Sequence, residues 1–165
     1  MALDTVSAFP GAAWQASVQV PRAESGVMPR VLIAHSNKSM RQLIKLHLVC
    51  GGYDVTLAED AVEAGKQVMQ QPPDLIILDV EMPYMDGLEF VSALKSDASL
   101  PLIPVIFLTA REEALERAER LGATACLTTP LSSEQLLHAV ARCVRPRSEA
   151  RLRAGFRTPR VASAA

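Results

Sequence analysis

Short apolar runs alternate five times with amphipathic stretches between residues 31 and 145, and this alternation constrains the fold more than any other feature. Several runs are apolar at successive positions, which is typical of parallel strands covered by helices on both faces. Five such βα units with short connections favour a doubly wound parallel sheet in the flavodoxin-like strand order 2-1-3-4-5. We therefore predict an α/β fold with helices on both faces of the sheet, and with strands over residues 31–34, 53–58, 75–78, 105–108 and 125–128.

Helix boundaries are marked by residues that favour the ends of helices. The pair Gly51-Gly52 predicts the end of the first helix, and Gly122 predicts the end of the fourth, which we expect over residues 111–121. Three pairs of residues have the capping-box spacing, in which a side chain and a backbone N–H at the start of a helix are satisfied reciprocally. These pairs are Asp60 with Glu63, Thr109 with Glu112, and Ser132 with Gln135.

The two ends of the chain do not share the alternating pattern. Residues 1–29 are rich in Ala, Ser, Gly and Pro, which predicts a flexible leader, and residues 146–165 contain five arginines and one glutamate, which predicts a basic disordered tail. The predicted folded domain covers residues 30–145. The net charge of −1 therefore combines an acidic domain with a tail of +4, which could bind a polyanion or an acidic protein face.

Composition excludes several classes of protein. An apolar content of 49% is enough to build a core, and no apolar run approaches the ~18 residues of a membrane span, so we expect no membrane contact. The three cysteines are widely spaced and form no CxxC motif, which indicates a reducing compartment. We predict a cytoplasmic protein without a structural metal.

In a sheet of this order, functional residues lie at the carboxyl ends of the strands. Asp79 directly follows the apolar run Leu75-Ile76-Ile77-Leu78, so its carboxylate is expected at that edge. It could either carry chemistry or cap the following turn, as aspartates after strands often do.

The segment that begins at Asp79 is the most specific motif in the chain. It reads DVEMPYMDGLEF over residues 79–90, and two further segments, IPVIFLTA at 103–110 and GATACLTTPL at 122–131, follow it. With these segments the chain, over residues 30–145, resembles the receiver domains of response regulators. The resemblance implies that Asp79 is the phosphoacceptor and that the hydroxyl of Thr109 binds the acyl phosphate. Thr109 also fits its capping box without any phosphate.

The predicted pocket departs from this family at several positions. His35 and Ser36 stand where the family has the acidic pair that holds magnesium, Thr129 replaces the lysine before Pro130, and Cys126 replaces the aromatic switch residue. The resemblance also implies a cis peptide bond between Thr129 and Pro130.

These departures leave a magnesium ion only the carboxylate of Asp79 and the backbone carbonyl of Glu81, so we expect weak binding at most. Phosphoryl transfer depends on cations that neutralise the transferred group, and phosphorylation should therefore be slow or its product unstable. His35 could pair with Asp79 in place of the metal, or it could be a hydrogen-bonded residue at a strand end. Ser36 or Asn37 could simply cap the first helix.

We therefore expect a stand-alone receiver in two-component signalling rather than an enzyme. Its partners would be a sensor histidine kinase or phosphotransfer protein, and a downstream protein bound through the fourth and fifth helices. A phosphorylation-independent pseudo-receiver is the main alternative. A phosphatase with a phosphoaspartate intermediate would need more carboxylates and a lysine, and a flavin carrier would need more than 4% aromatic residues.

Overall fold

The structure is a computed structural model that describes residues 28–144, and its five parallel strands form one sheet in the predicted order β2-β1-β3-β4-β5. The predicted leader and basic tail lie outside the described residues, apart from Met28 and Pro29. The strands are β1 (Arg30–Ala34), β2 (Asp54–Ala58), β3 (Leu75–Asp79), β4 (Val105–Thr109) and β5 (Ala125–Thr128). The helices are α1 (Lys38–Cys50), α2 (Ala61–Gln70), α3 (Gly87–Ser96), α4 (Glu113–Arg120) and α5 (Ser133–Cys143).

The central strands are apolar at successive positions because both faces of the sheet are covered. All five residues of β3 and of β4 are buried, and alternate side chains point to opposite faces. Residues such as Ile76 and Phe107 pack with α2, α3 and α4 on one face, whereas Ile77 and Ile106 pack with α1 and α5 on the other. The core therefore consists of two layers, one on each side of the sheet.

Strand register determines which side chains meet at the carboxyl edge of the sheet. Ala34 of β1 lies beside Leu78 of β3, and Asp79 lies beside Leu108 of β4. The residues that follow β1 and end β3 and β4 are therefore neighbours at one edge. This is the edge where the sequence predicts the functional site.

The capping predictions had mixed outcomes. The capping box of Ser132 and Gln135 is confirmed at the start of α5. At α2 the side chain of Asp60 accepts from the backbone N–H of Glu63, but the carboxylate of Glu63 accepts from the N–H of Glu59 instead of closing the box.

The predicted start of the fourth helix was wrong. The helix α4 begins at Glu113 rather than at residue 111, and the residue before it, Glu112, makes no side-chain capping bond. Thr109 belongs to β4, and its hydroxyl binds the backbone of Arg111, so the proposed box with Glu112 does not form. Within residues 28–144, no helix has the length and apolar character that crossing a membrane requires.

Candidate functional site

Asp79 ends β3 at the carboxyl edge of the sheet, between β1 and β4, and we call the region above these three strand ends the crevice. The residue is only 9% exposed, and its Oδ1 accepts a hydrogen bond of 3.0 Å from the backbone N–H of Glu81. The chain then turns back, and α3 begins at Gly87, whose N–H donates to the carbonyl of Val80 at 2.9 Å. A Cβ on Gly87 would collide with the carbonyl oxygen of Asp79, so only glycine lets the helix start this close to the site.

The β1–α1 loop brings His35 against the second oxygen of this carboxylate. Nδ1 of His35 is 3.2 Å from Oδ2 of Asp79. The same Nδ1 accepts a hydrogen bond of 3.1 Å from the backbone N–H of Asn37. A nitrogen whose lone pair accepts this bond carries no proton, so the neutral imidazole holds its proton on Nε2 and Nδ1 donates no hydrogen bond to Asp79.

Burial acts on the pair in a way that favours its uncharged forms. Desolvation lowers the pKa of His35, aided by the nearby charge of Arg41 and opposed by that of Asp79. Desolvation also raises the pKa of Asp79, against the hydrogen bonds from Glu81 and Ser36 and the charge of His35. Both directions disfavour a fully charged imidazolium–carboxylate pair. Of the two alternatives for His35, the contact with Asp79 is present, and the ring also makes the hydrogen bond expected of a residue at a strand end. The contact joins two buried groups whose charged forms are both disfavoured by desolvation.

The two open alternatives for the helix cap are resolved by the geometry. Asn37 is the N-cap of α1, because its side chain accepts from the N–H of Met40 at 3.1 Å. Ser36 does not cap the helix, and its hydroxyl instead contributes to stabilising the charged form of Asp79.

Arg41 is a residue of the site that our sequence reasoning missed. It is 9% exposed, and its Nη1 donates to the backbone carbonyls of His35 and Ser36, the second at 3.0 Å. It lies on the buried face of α1 together with Ile44 and Leu48. A charged residue at such a core-facing spacing was the signal in the sequence that could have found it.

On the β4 side, Thr109 and Arg111 form the rim of the crevice. The hydroxyl of Thr109 accepts from the N–H of Arg111 at 3.0 Å and donates to its carbonyl at 3.2 Å. The side chain of Arg111 reaches across to Glu81, with Nε 2.8 Å from Oε1. This ion pair is exposed and connects the loops that follow β3 and β4.

The residues predicted on β5 are divided between two environments. The backbone N–H of Thr129 donates to the carbonyl of Thr109 at 3.1 Å, and the Thr129–Pro130 peptide bond is cis, as the resemblance implied. Cys126 is instead buried among the apolar side chains that pack under α4. Burial raises the pKa of its thiol to about 11, so it is a neutral core residue at neutral pH.

The donors in the crevice do not fit a magnesium ion. This ion prefers several hard oxygen ligands, usually with one or two carboxylates among them. Oδ2 of Asp79 faces an imidazole, and the carboxylate of Glu81 binds Arg111. Among the residues that the structure describes, no three His, Cys, Asp or Glu side chains are grouped so that they could hold a metal.

Comparison with known proteins identifies a family for this arrangement. The profile of the response regulator receiver domain matches residues 31–141. The chain is 36% identical over 126 residues to the response regulator MprA of Mycobacterium avium, covering 73% of this chain and 54% of that protein. It is 38% identical over 110 residues to MprA of Mycobacterium leprae, covering 66% and 47%. The chain thus spans about half the length of the curated relatives it matches.

Solved structures agree with this match. The chemotaxis response regulator CheY4 of Vibrio cholerae superposes with a TM-score of 0.67 and 33% identity, covering 72% of this chain and 100% of that one. The receiver domain of the Francisella response regulator 1452 gives 0.65 and 32%, covering 70% and 95%. The chain belongs to the response regulator receiver domain family.

Proposed function

Because the chain is a receiver domain, we propose that it acts in two-component signal transduction with Asp79 as the phosphoacceptor, in a pocket where His35 occupies the place of a metal ion. The observation that carries this proposal is the carboxylate of Asp79, which ends a fully buried strand and has Nδ1 of His35 3.2 Å from Oδ2. The donor would be a sensor histidine kinase or a phosphotransfer protein.

The transfer step moves a phosphoryl group onto a carboxylate oxygen of Asp79. The phosphorus–nitrogen bond of the donor phosphohistidine breaks as the new phosphorus–oxygen bond forms, and the donor imidazole keeps the electron pair. The three equatorial oxygens then need positive charge or hydrogen-bond donors. The hydroxyl of Thr109, which now binds Arg111, is the donor that this proposal assigns to the phosphoryl group.

Few cations are available for that step. Thr129 carries no charge where the family has a lysine, and burial disfavours the charged form of His35. Since metal and cation contributions to such steps are worth several kcal/mol, we expect slow phosphorylation that does not require magnesium.

The contact between His35 and Asp79 also favours a second function. The carboxylate of Asp79 already has the N–H of Glu81 at Oδ1 and the ring of His35 at Oδ2. These two neighbours hold the pocket in one arrangement without phosphate. In this alternative the protein is a pseudo-receiver that signals by docking alone.

In both cases we place the output in protein contacts rather than in an enzymatic reaction of the chain itself. The exposed charged face of α4, together with α5, is the surface we propose for a downstream partner. The basic segment at 146–165 adds five arginines that could bind a polyanion or an acidic protein face. The three free cysteines support a cytoplasmic location.

The test is incubation with acetyl phosphate, with magnesium or with a chelator, followed by intact-mass measurement. We expect wild type to gain one phosphoryl group slowly and equally in both conditions, and Asp79→Asn to gain none. Asp54→Asn, at the opposite edge of the sheet, is the matched control and should behave as wild type. The His35→Asp, Ser36→Asp double variant should become dependent on magnesium.

Three other outcomes would each contradict a part of the proposal. Rapid, stoichiometric, magnesium-dependent modification of wild-type Asp79 would overturn the metal-free pocket. Modification that persists in Asp79→Asn would overturn the assignment of the phosphoacceptor. If wild type accepts no phosphoryl group from acetyl phosphate or from a phosphorylated histidine donor, the phosphoacceptor function is excluded and the pseudo-receiver is supported.

A further inference from the structure

Arg41 occupies a place that is unfavourable for a cation in two ways. Its side chain is only 11% exposed, and removing a charge from water is costly unless partners replace the water. Its backbone N–H also makes the first hydrogen bond of α1, to the carbonyl of Asn37 at 3.1 Å, and the N-terminus of a helix disfavours positive charge. A residue at such a site needs interactions that offset both costs.

The partners of Arg41 are mainly the carbonyls of the β1–α1 loop. Nη1 donates to the carbonyl oxygens of both His35 and Ser36, whereas Nη2 is 3.8 Å from Glu59, whose side chain is 70% exposed. An ion pair that is exposed on one side contributes little. The two carbonyl bonds are therefore the interactions that keep Arg41 in place, and they fix the two peptide groups that follow His35.

The position of these peptide groups determines which hydrogen bond the imidazole of His35 makes and which ring nitrogen carries its proton. The N–H of Asn37 points at Nδ1 of His35, at 3.1 Å, only while the backbone between residues 35 and 37 keeps this turn. That bond makes Nδ1 the acceptor and leaves the ring proton of the neutral imidazole on Nε2. The same turn directs Nδ1 to Oδ2 of Asp79 at 3.2 Å.

We propose that Arg41 is the positioning residue of the pocket, because by holding the carbonyls of His35 and Ser36 it fixes the tautomer of His35 and its contact with Asp79. This inference rests on the proposed function, in which the His35–Asp79 pair replaces the metal site. Arg41 acts through His35 and does not touch the carboxylate. A lysine at this position has a single ammonium on a flexible stem and cannot reproduce the planar guanidinium that holds both carbonyls.

The experiment compares the ring nitrogen signals of His35 and the backbone amide signal of Asn37 by NMR at neutral pH in the protein of residues 1–165. The His35 signals are identified by their absence from His35→Gln. In wild type we expect the Nε2–H tautomer and an Asn37 amide shifted by its bond to the ring. In Arg41→Met we expect a mixture of tautomers and loss of the Asn37 shift, with partial recovery of both in Arg41→Lys.

The matched control is Arg30→Met, which removes a partly buried arginine at the start of β1, the end of the strand away from His35, and should leave both signals as in wild type. A folded Arg41→Met with the His35 tautomer and Asn37 amide of wild type would overturn the proposal. If Arg41→Met does not fold, the same two signals in Arg41→Lys decide: values unchanged from wild type overturn it, and intermediate values support it.

These signals are read without any phosphodonor. A protein that accepts no phosphoryl group but shows the expected shifts would contradict the phosphoacceptor function and leave the role of Arg41 intact. Normal phosphorylation with unchanged shifts in Arg41→Met would do the reverse.

Discussion

Two arginines hold the two sides of the Asp79 crevice, and they do so in opposite environments. On the β1 side, Arg41 is buried and binds two backbone carbonyls. On the β4 side, the side chain of Arg111 is 69% exposed and binds the carboxylate of Glu81, itself 59% exposed. The two contacts are similar in length, so distance alone does not separate them.

The difference shows that burial decides how firmly each side is held. In water, an exposed ion pair competes with solvent and salt and contributes ~0–1 kcal/mol. A buried guanidinium meets less competition from water for its partners, so breaking its hydrogen bonds costs more. The contacts of Arg41 therefore hold the β1 side more firmly than the Arg111–Glu81 ion pair holds the β4 side.

The largest effect in this comparison should come from Arg41→Met. The substitution keeps a long side chain but leaves the carbonyls of His35 and Ser36 without their donor, and we expect the free energy of unfolding to fall by about 3 kcal/mol. Chemical denaturation of wild type and variant measures this change. A loss below about 1 kcal/mol, the range of exposed pairs, would show that burial does not distinguish the two arginines.

The second largest effect on stability should come from Asp79→Asn, at the carboxylate that lies between the two sides of the crevice. Because burial raises the pKa of Asp79 above its usual 3.8, the folded protein binds this proton more tightly than the unfolded chain. Stability should therefore fall as pH rises from below 3.8 through the raised value, and remain reduced above it. Asp79→Asn removes this loss, so the variant should be more stable than wild type at neutral pH.

Thermal or chemical unfolding of both proteins across this pH range provides the measurement. The gain from Asp79→Asn should disappear at pH values below the ordinary Asp pKa, where both folded and unfolded wild type are protonated. A gain that is the same at every pH, or a loss at neutral pH, would contradict the raised pKa.

The smallest effect should come from the exposed rim. A double-mutant cycle with Glu81→Gln and Arg111→Gln should give a coupling free energy of about 0.5 kcal/mol that decreases as salt is added. Urea unfolding at low and high ionic strength measures it. A coupling above about 2 kcal/mol, insensitive to salt, would mean that this pair holds the crevice as firmly as Arg41 does.

Local sequence patterns were sufficient for most of the fold. The apolar runs located every strand to within one residue of its observed ends, because a strand buried on both faces has no position for a polar side chain. The start of α4 was mispredicted because a threonine followed three residues later by a glutamate matches the capping-box pattern even where no helix begins. The structure shows instead that Thr109 is the last residue of β4 and that its hydroxyl hydrogen-bonds the backbone of Arg111.

The candidate site was predicted in part. Asp79 and His35 were placed at one edge of the sheet, since both directly follow buried strands in a parallel fold. The sequence left open whether Ser36 or Asn37 caps α1, because both residue types are good N-caps. Arg41 was missed because its function depends on two backbone carbonyls, and a backbone group has no identity in a sequence.

By itself, the sequence determined the α/β fold, the strand order and the place of Asp79 and His35 at one edge of the sheet, because apolar periodicity and short connections permit few arrangements. Only the tertiary structure decided how those residues are used. Burial lowers the pKa of His35 and raises that of Asp79. It also distinguishes Arg41, which is buried and holds the β1–α1 loop, from Arg111, which is exposed and pairs with Glu81. These properties come from the distance of each group to water and to its neighbours, which is established only when the chain has packed.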